Sequence, residues 1–295
     1  MKNLSVMILT AACGLFAQAQ DSVSAFAVGA FTVNVLSEGN NTGNSALLVG
    51  ATDEMLRKYL PDGTFPMGVN AFLVRTPDKK IILVDAGYGR KLPDNLKALK
   101  VKEEQVDVIL LTHMHGDHIG GLLKDGKTVF PNAELYLSQP EHDYWTSDSE
   151  MQAVRENRRG GFLQARSVIK AYGDRLHLFV PAEHGKPATC PFPEIQGIAA
   201  YGHTPGHTAY LLESEGERLL IWGDLTHAMK IQMPLPEVAL SFDVHPAQAV
   251  AIRKALLEYA ARNGIAVAGM HIASPGMGKI RKSTTKGESY VFEPF

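Results

Sequence analysis

Cysteine is nearly missing: the 295 residues contain two, Cys13 and Cys190. Cys13 falls in a stretch read below as a leader, and one remaining thiol cannot close an internal disulfide. The fold must therefore stand on its core and on any metal it binds. Cys190 lies in the proline-rich connection Ala188-Thr189-Cys190-Pro191-Phe192-Pro193, away from every motif, and is read as a thiol without a chemical task. An excess of one charge is missing as well. With 29 Lys and Arg against 31 Asp and Glu the net charge is -2, which offers no basic footprint for nucleic acid and leaves small molecules as the expected partners. Long apolar runs are missing with one exception. Lys2 precedes the run Leu4 to Phe16, too short for a permanent span, and Ala17-Gln18-Ala19 follows as a small-x-small cleavage pattern. Residues 1–19 are read as a signal peptide and 20–295 as a single domain, exported to the periplasm or secreted, with no stable membrane span. The alternative is a lipoprotein leader with Cys13 lipidated, against which Thr10 stands where an aliphatic residue is usual.

What is present fits one large α/β domain. Apolar residues make up 45% and charged residues 20%, enough for a sizeable core. Phe26 to Leu36 alternates and reads as a strand, followed by a polar turn at Glu38, Gly39, Asn40 and Asn41. Thr52 opens a helix to Leu60, and Pro61 to Gly68 reads as a loop whose apolar tip could overhang a site. Ala71 to Arg75 and Lys80 to Asp85 flank Thr76-Pro77-Asp78-Lys79 as a hairpin. Pro93 to Lys100 reads as a helix and Val106 to Thr112 as a strand, completing a strand–helix–strand unit. Further strands are expected at Ala133 to Leu137, Ile195 to Tyr201, Thr208 to Glu213, Arg218 to Trp222 and Ile265 to Ala268. Helices are expected at Pro140 to Trp145, Glu150 to Tyr172 and Ala247 to Arg262.

The densest chemistry lies between Val108 and Gly121. A run of strand formers leads into three histidines and an aspartate within six positions: His113, His115, Asp117 and His118. At a strand end His113 and His115, two apart, point to the same side, so both imidazoles reach one ion, while Asp117 and His118 in the following turn are aimed at a second. Imidazole nitrogen with carboxylate oxygen suits zinc, with iron, manganese and cobalt as other fits. The stretch reads as half of a two-metal site.

His113-Met114-His115-Gly116-Asp117-His118 resembles the HxHxDH signature of the metallo-β-lactamase-fold hydrolases. Three more segments follow in that family's order: Gly202-His203-Thr204-Pro205-Gly206-His207, Gly223-Asp224 and Gly269-Met270-His271. The likeness runs from about Asn70 to the C-terminus and is nearest to the secreted methyl-parathion-hydrolase and quorum-quenching lactonase-like branch. It implies a four-layered αβ/βα sandwich and two Zn2+, with His113, His115 and His207 on the first ion, Asp117, His118 and His271 on the second, and Asp224 bridging. It also implies that Asp85 orients the metal loop. Trp145 and Phe162 match aromatic positions of the leaving-group pocket in that branch, and Tyr88, Met229 and Met233 are further candidates for an apolar wall. His227 stands where better-known lactonases carry a tyrosine. This departure argues against transferring lactone specificity, and His227 is read as polarising the substrate or hydrogen-bonding a ligand. His203 receives only a supporting role, and His142, His177, His184 and His245 belong to no motif. A homodimer is implied by the apolar loops of the branch.

Two divalent ions, less the charges of Asp117, Asp224 and a bridging hydroxide, leave about +1, matched to a neutral substrate that gains one negative charge on attack. The expected reaction is hydrolysis of a lactone, carboxylic ester or phosphotriester, with Asp117 passing a proton to the leaving group. Penicillin hydrolysis is disfavoured, because many zinc β-lactamases use a cysteine where this chain has Asp224, and a nuclease is disfavoured by the charge balance. The alternatives retained are a glyoxalase-like thioester hydrolase and a non-catalytic metal-binding protein of the cell envelope.

Overall fold

Continuous apolar runs become strands buried on both faces. In the computed structural model, which describes residues 23–183 and 194–295, Phe72 and Val74 point into one apolar layer and Leu73 between them into another. The same alternation holds for Ile82 and Val84 against Leu83, and for Val108 and Leu110 against Ile109. A strand with both faces covered has no polar side to show, which is why these runs lack the usual polar alternation.

Seven strands form one sheet in the order Val23–Val28, Phe31–Asn44, Thr64–Arg75, Ile81–Val84, Val108–Leu110, Glu134–Ser138 and Leu176–Phe179. The first four are antiparallel neighbours and the last four run parallel. A second sheet orders Ile195–Ala199, Thr208–Ser214, Glu217–Ile221, Ala266–Ala268, Met277–Lys282 and Tyr290–Pro294. One apolar layer, with Val33, Phe72, Tyr210 and Ile221, joins the sheets face to face. A second packs the first sheet under helices Leu92–Ala98, Gln139–Thr146 and Arg159–Tyr172, and a third packs the other sheet under helix Pro246–Asn263. Helix, sheet, sheet, helix is the four-layered sandwich expected above.

Four local readings are corrected. The first strand is two, because Gly29, at φ 55°, turns the chain between Val28 and Phe31. The polar residues Glu38 to Asn41 are not a turn: the strand runs on through them to Asn44, past an irregularity between Ser37 and Gly39. Its partner is the segment read as a loop, with Asn41 opposite Met67 and Gly43 opposite Phe65. The expected long helix from Glu150 instead breaks into Asp148–Ala153 and Arg159–Tyr172. The strands Leu176–Phe179, Met277–Lys282 and Tyr290–Pro294 were not anticipated.

The leader, Cys13, His184 and Cys190 lie outside the described residues. Among the described residues no helix is long and apolar enough to cross a membrane.

Candidate metal centre

Four strands deliver the site from their carboxyl ends. Ile81–Val84 ends at Asp85, Val108–Leu110 runs on to His113, Glu217–Ile221 to Asp224, and Ala266–Ala268 to His271. Loops at such strand ends are free to project side chains while the sheet holds their origins. The extended hairpin contributes as well. The Gly68 carbonyl accepts from His271 Nδ1 at 3.0 Å, and the Asn70 side chain donates to the carbonyls of Gly269 and Ile272.

Asp224, buried at 3% exposure, is the hub. Its Oδ2 lies 3.1 Å from His203 Nε2, 3.1 Å from His227 Nε2, 3.2 Å from His271 Nε2 and 3.6 Å from His113 Nε2. Its Oδ1 faces His118 Nε2 at 3.2 Å. Among the described residues, potential ligand atoms converge in three groups: His113, His115, His203 and Asp224; Asp117, His118 and His271; and Asp224, His227 and His271. The His115 Nδ1 meets His113 Nε2 at 2.9 Å and His203 Nε2 at 3.0 Å. His271 Nε2 is 3.4 Å from Asp117 Oδ2.

The donor set fits cations. His118 Nε2 and Asp224 Oδ1 are buried without a hydrogen-bond partner although they face each other, and such orphaned atoms are rare unless something else satisfies them. Burial, reinforced by His118, holds His113 well below the ordinary histidine value, and burial with His203 brings His115 and His207 to about 3. These rings are neutral and offer lone pairs. Burial alone would push His118 the same way, but Asp224, Asp85 and Asp117 outweigh it and hold it well above the ordinary value. For Asp224, burial favours the neutral acid, yet the imidazoles, His118 foremost, keep it well below the ordinary carboxylate value.

His207 stands apart from the converging groups. Its Nε2 accepts the Asp224 backbone N–H at 2.9 Å and its Nδ1 donates to the Ala200 carbonyl at 2.9 Å, so both nitrogens are engaged. His203, given only a supporting role from sequence, takes part in the four-membered group, and its Nδ1 donates to Asp243 Oδ1 at 2.9 Å. Asp243 in turn lies 3.7 Å from Arg253, which is buried and donates to the carbonyls of Leu225, Pro236 and Val238.

Asp85 ties the metal loop from behind. Its Oδ1 accepts from the Thr112 N–H at 2.8 Å, and its Oδ2 lies 2.6 Å from both the Thr112 hydroxyl and His118 Nδ1. Asp85→Asn should weaken metal affinity by about 10- to 100-fold, the usual effect of removing the carboxylate behind a ligating histidine. Chelator competition measures it, and an unchanged affinity would remove Asp85 from the site.

The aromatic candidates separate. Trp145 is buried edge-on to His115 with ring centroids 5.7 Å apart, and Phe162 packs on Trp145 at 4.7 Å. Tyr88 is 42% exposed, and its hydroxyl is pushed up by burial and by the charge of Asp117. Met229 and Met233 join the apolar layer of Trp222, Leu225 and Leu256. A groove of about 730 Å³ between Phe26, Glu217, Asn263 and Phe295 lies at the opposite strand ends and contains none of the site residues.

The sequence profile of the metallo-beta-lactamase superfamily matches residues 64–269. The chain belongs to this superfamily. A solved structure of the hydrolase AbOPH of the beta lactamase superfamily superposes with a TM-score of 0.81 at 28% identity, covering 94% of this chain and 99% of that one. AidC, a dizinc quorum-quenching lactonase in complex with its product, also gives 0.81 at 25% identity, covering 93% and 97%. Among curated sequences, the hydroxyacylglutathione hydrolase of Aeromonas salmonicida is 32% identical over 146 residues, 48% of this chain and 41% of that protein. The exodeoxyribonuclease WalJ of Streptococcus pneumoniae is 36% identical over 80 residues, 25% of this chain and 29% of that protein. The chain thus spans less than half the length of either curated relative.

Proposed function

We propose that this superfamily member hydrolyses a neutral ester-type bond, in a lactone, carboxylic ester or phosphotriester, using two divalent ions, zinc by the chemistry of the donors. The observation that carries the reading is Asp224, one carboxylate whose two oxygens face imidazoles from both halves of the chain. His113, His115 and Asp224 would hold one ion together with His203, or with His207 once its Nε2 gives up the Asp224 N–H, and Asp117, His118, His271 and Asp224 would hold the other. Bound zinc would supply Lewis acidity and water of lowered pKa.

The chain's own groups supply the rest. Asp117, whose side chain is 20% exposed, is the carboxylate of the set that solvent and substrate reach. Burial would raise its pKa, but His118 and His271 outweigh that and hold it below the ordinary carboxylate value, so it would take a proton only in passing it to the leaving oxygen. His227 is neutral, brought to about 4 by burial and by His271, so its one proton sits on Nε2 toward Asp224. That contact orients the shared carboxylate, and His227 Nδ1 is buried without a partner behind it. Trp145 would wall the side that receives an apolar leaving group, and Trp145→Ala should raise KM for an aryl ester by about tenfold, from lost aromatic packing. An unchanged KM would place Trp145 in the core alone.

The test is a zinc-supplemented assay against neutral lactones, aryl esters, phosphotriesters and a glutathione thioester. Turnover confined to the thioester would favour the reading suggested by the Aeromonas relative, and bound zinc without turnover on any substrate would favour a metal-binding role. Export of the chain from residue 20 belongs to the same proposal, with intact-mass measurement on the envelope fraction as its check.

A further inference from the structure

Glu141 is a fully buried carboxylate outside the metal-ligand set. Its Oε1 accepts from the Met114 backbone N–H at 3.0 Å and from the Trp145 indole N–H at 2.6 Å. Its Oε2 accepts from the Thr204 hydroxyl at 2.6 Å and from the Gly206 backbone N–H at 2.9 Å. Four donors from three separate segments thus meet on two oxygens. Met114 lies between His113 and His115, Thr204 and Gly206 lie between His203 and His207, and the Trp145 ring lies against His115. The approach is close: a Cβ on Gly206 would fall 2.0 Å from the Glu141 backbone nitrogen. Of the four partners only the Thr204 hydroxyl is able to turn and accept, so the arrangement is built for an ionised acceptor against which burial works.

Resting on the metal-hydrolase reading above, we propose that Glu141 is a positioning residue that sets the two histidine loops against each other and locks the Trp145 wall to them. Metal affinity and recognition of the leaving group are thereby coupled through one carboxylate.

Glu141→Gln tests this with little change of shape. A carboxamide has one accepting oxygen, which the fixed Met114 and Trp145 donors will claim, leaving its NH2 against Thr204 and Gly206. The Thr204 hydroxyl adapts by accepting, and the Gly206 N–H loses its partner. The expected result is zinc affinity at least about tenfold weaker in chelator competition, the range for lost support behind ligands. Trp145→Phe, which keeps a ring but removes the indole N–H from Glu141, should weaken zinc affinity in the same direction though less than Glu141→Gln, and raise KM for bulky aryl esters relative to small acyl esters. Should Glu141→Gln fail to fold, Thr204→Val removes one donor from the same carboxylate and should weaken zinc affinity in the same direction. A merely structural role would lower thermal stability while leaving zinc affinity and the ratio of KM values between bulky and small esters as in the parent. If the unsubstituted protein binds zinc and the variants match it, the coupling is wrong and the hydrolase reading stands. If the unsubstituted protein binds none, both fall.

Discussion

Asp224→Ala should reduce bound zinc below one ion per chain and turnover by about a thousandfold or more, since the side chain joins both halves of the site and such metal assistance is worth several kcal/mol. Asp224 is the carboxylate that raises proton affinity at His118, His203 and His271, each of which sits within 3.2 Å of one of its oxygens. Any cation placed among these rings needs the same negative charge. His115→Ala should act in the same direction through the first group of ligand atoms. Elemental analysis of purified protein alongside turnover makes the check, and an alanine variant with two zinc ions and full activity would remove the basis of the proposed mechanism.

Arg253→Ala should cost about 3–5 kcal/mol of stability, the penalty for breaking one half of a buried ion pair. Arg253 is 1% exposed, donates to three backbone carbonyls and faces Asp243, and burial brings its pKa down to about 10 against the pull of that carboxylate. Removing it leaves those buried carbonyls without a donor from the guanidinium and Asp243 without its facing positive charge. Because Asp243 also receives His203 Nδ1, the loss should reach the site and weaken zinc binding. Denaturant unfolding with and without zinc measures both effects. A stability loss under 1 kcal/mol would mean that the surroundings of Arg253 repack or hydrate freely.

The chemistry-bearing segments were legible because they are local. His113, His115, Asp117 and His118 declare themselves within six positions, and the strands that carry them are apolar runs with nowhere to go but between layers. The misread stretch around Glu38 to Asn41 is polar, and only its pairing with Thr64–Arg75, more than twenty residues downstream, makes it a strand. That pairing brings Gly68 under His271.

Residue types and their spacing were sufficient to say that this chain is a mixed α/β protein with histidine- and aspartate-bearing loops, and the layering came only from the family resemblance. They were silent on which ring of the Gly202 to His207 turn faces Asp224, because His203 and His207 differ there by the path of the backbone, not by kind. They were equally silent on Glu141, Asp243 and Arg253. A buried charge is recognised by the partners that compensate it, and for Glu141 and Thr204 those partners lie 63 positions apart in the chain. Folding alone brings them within reach.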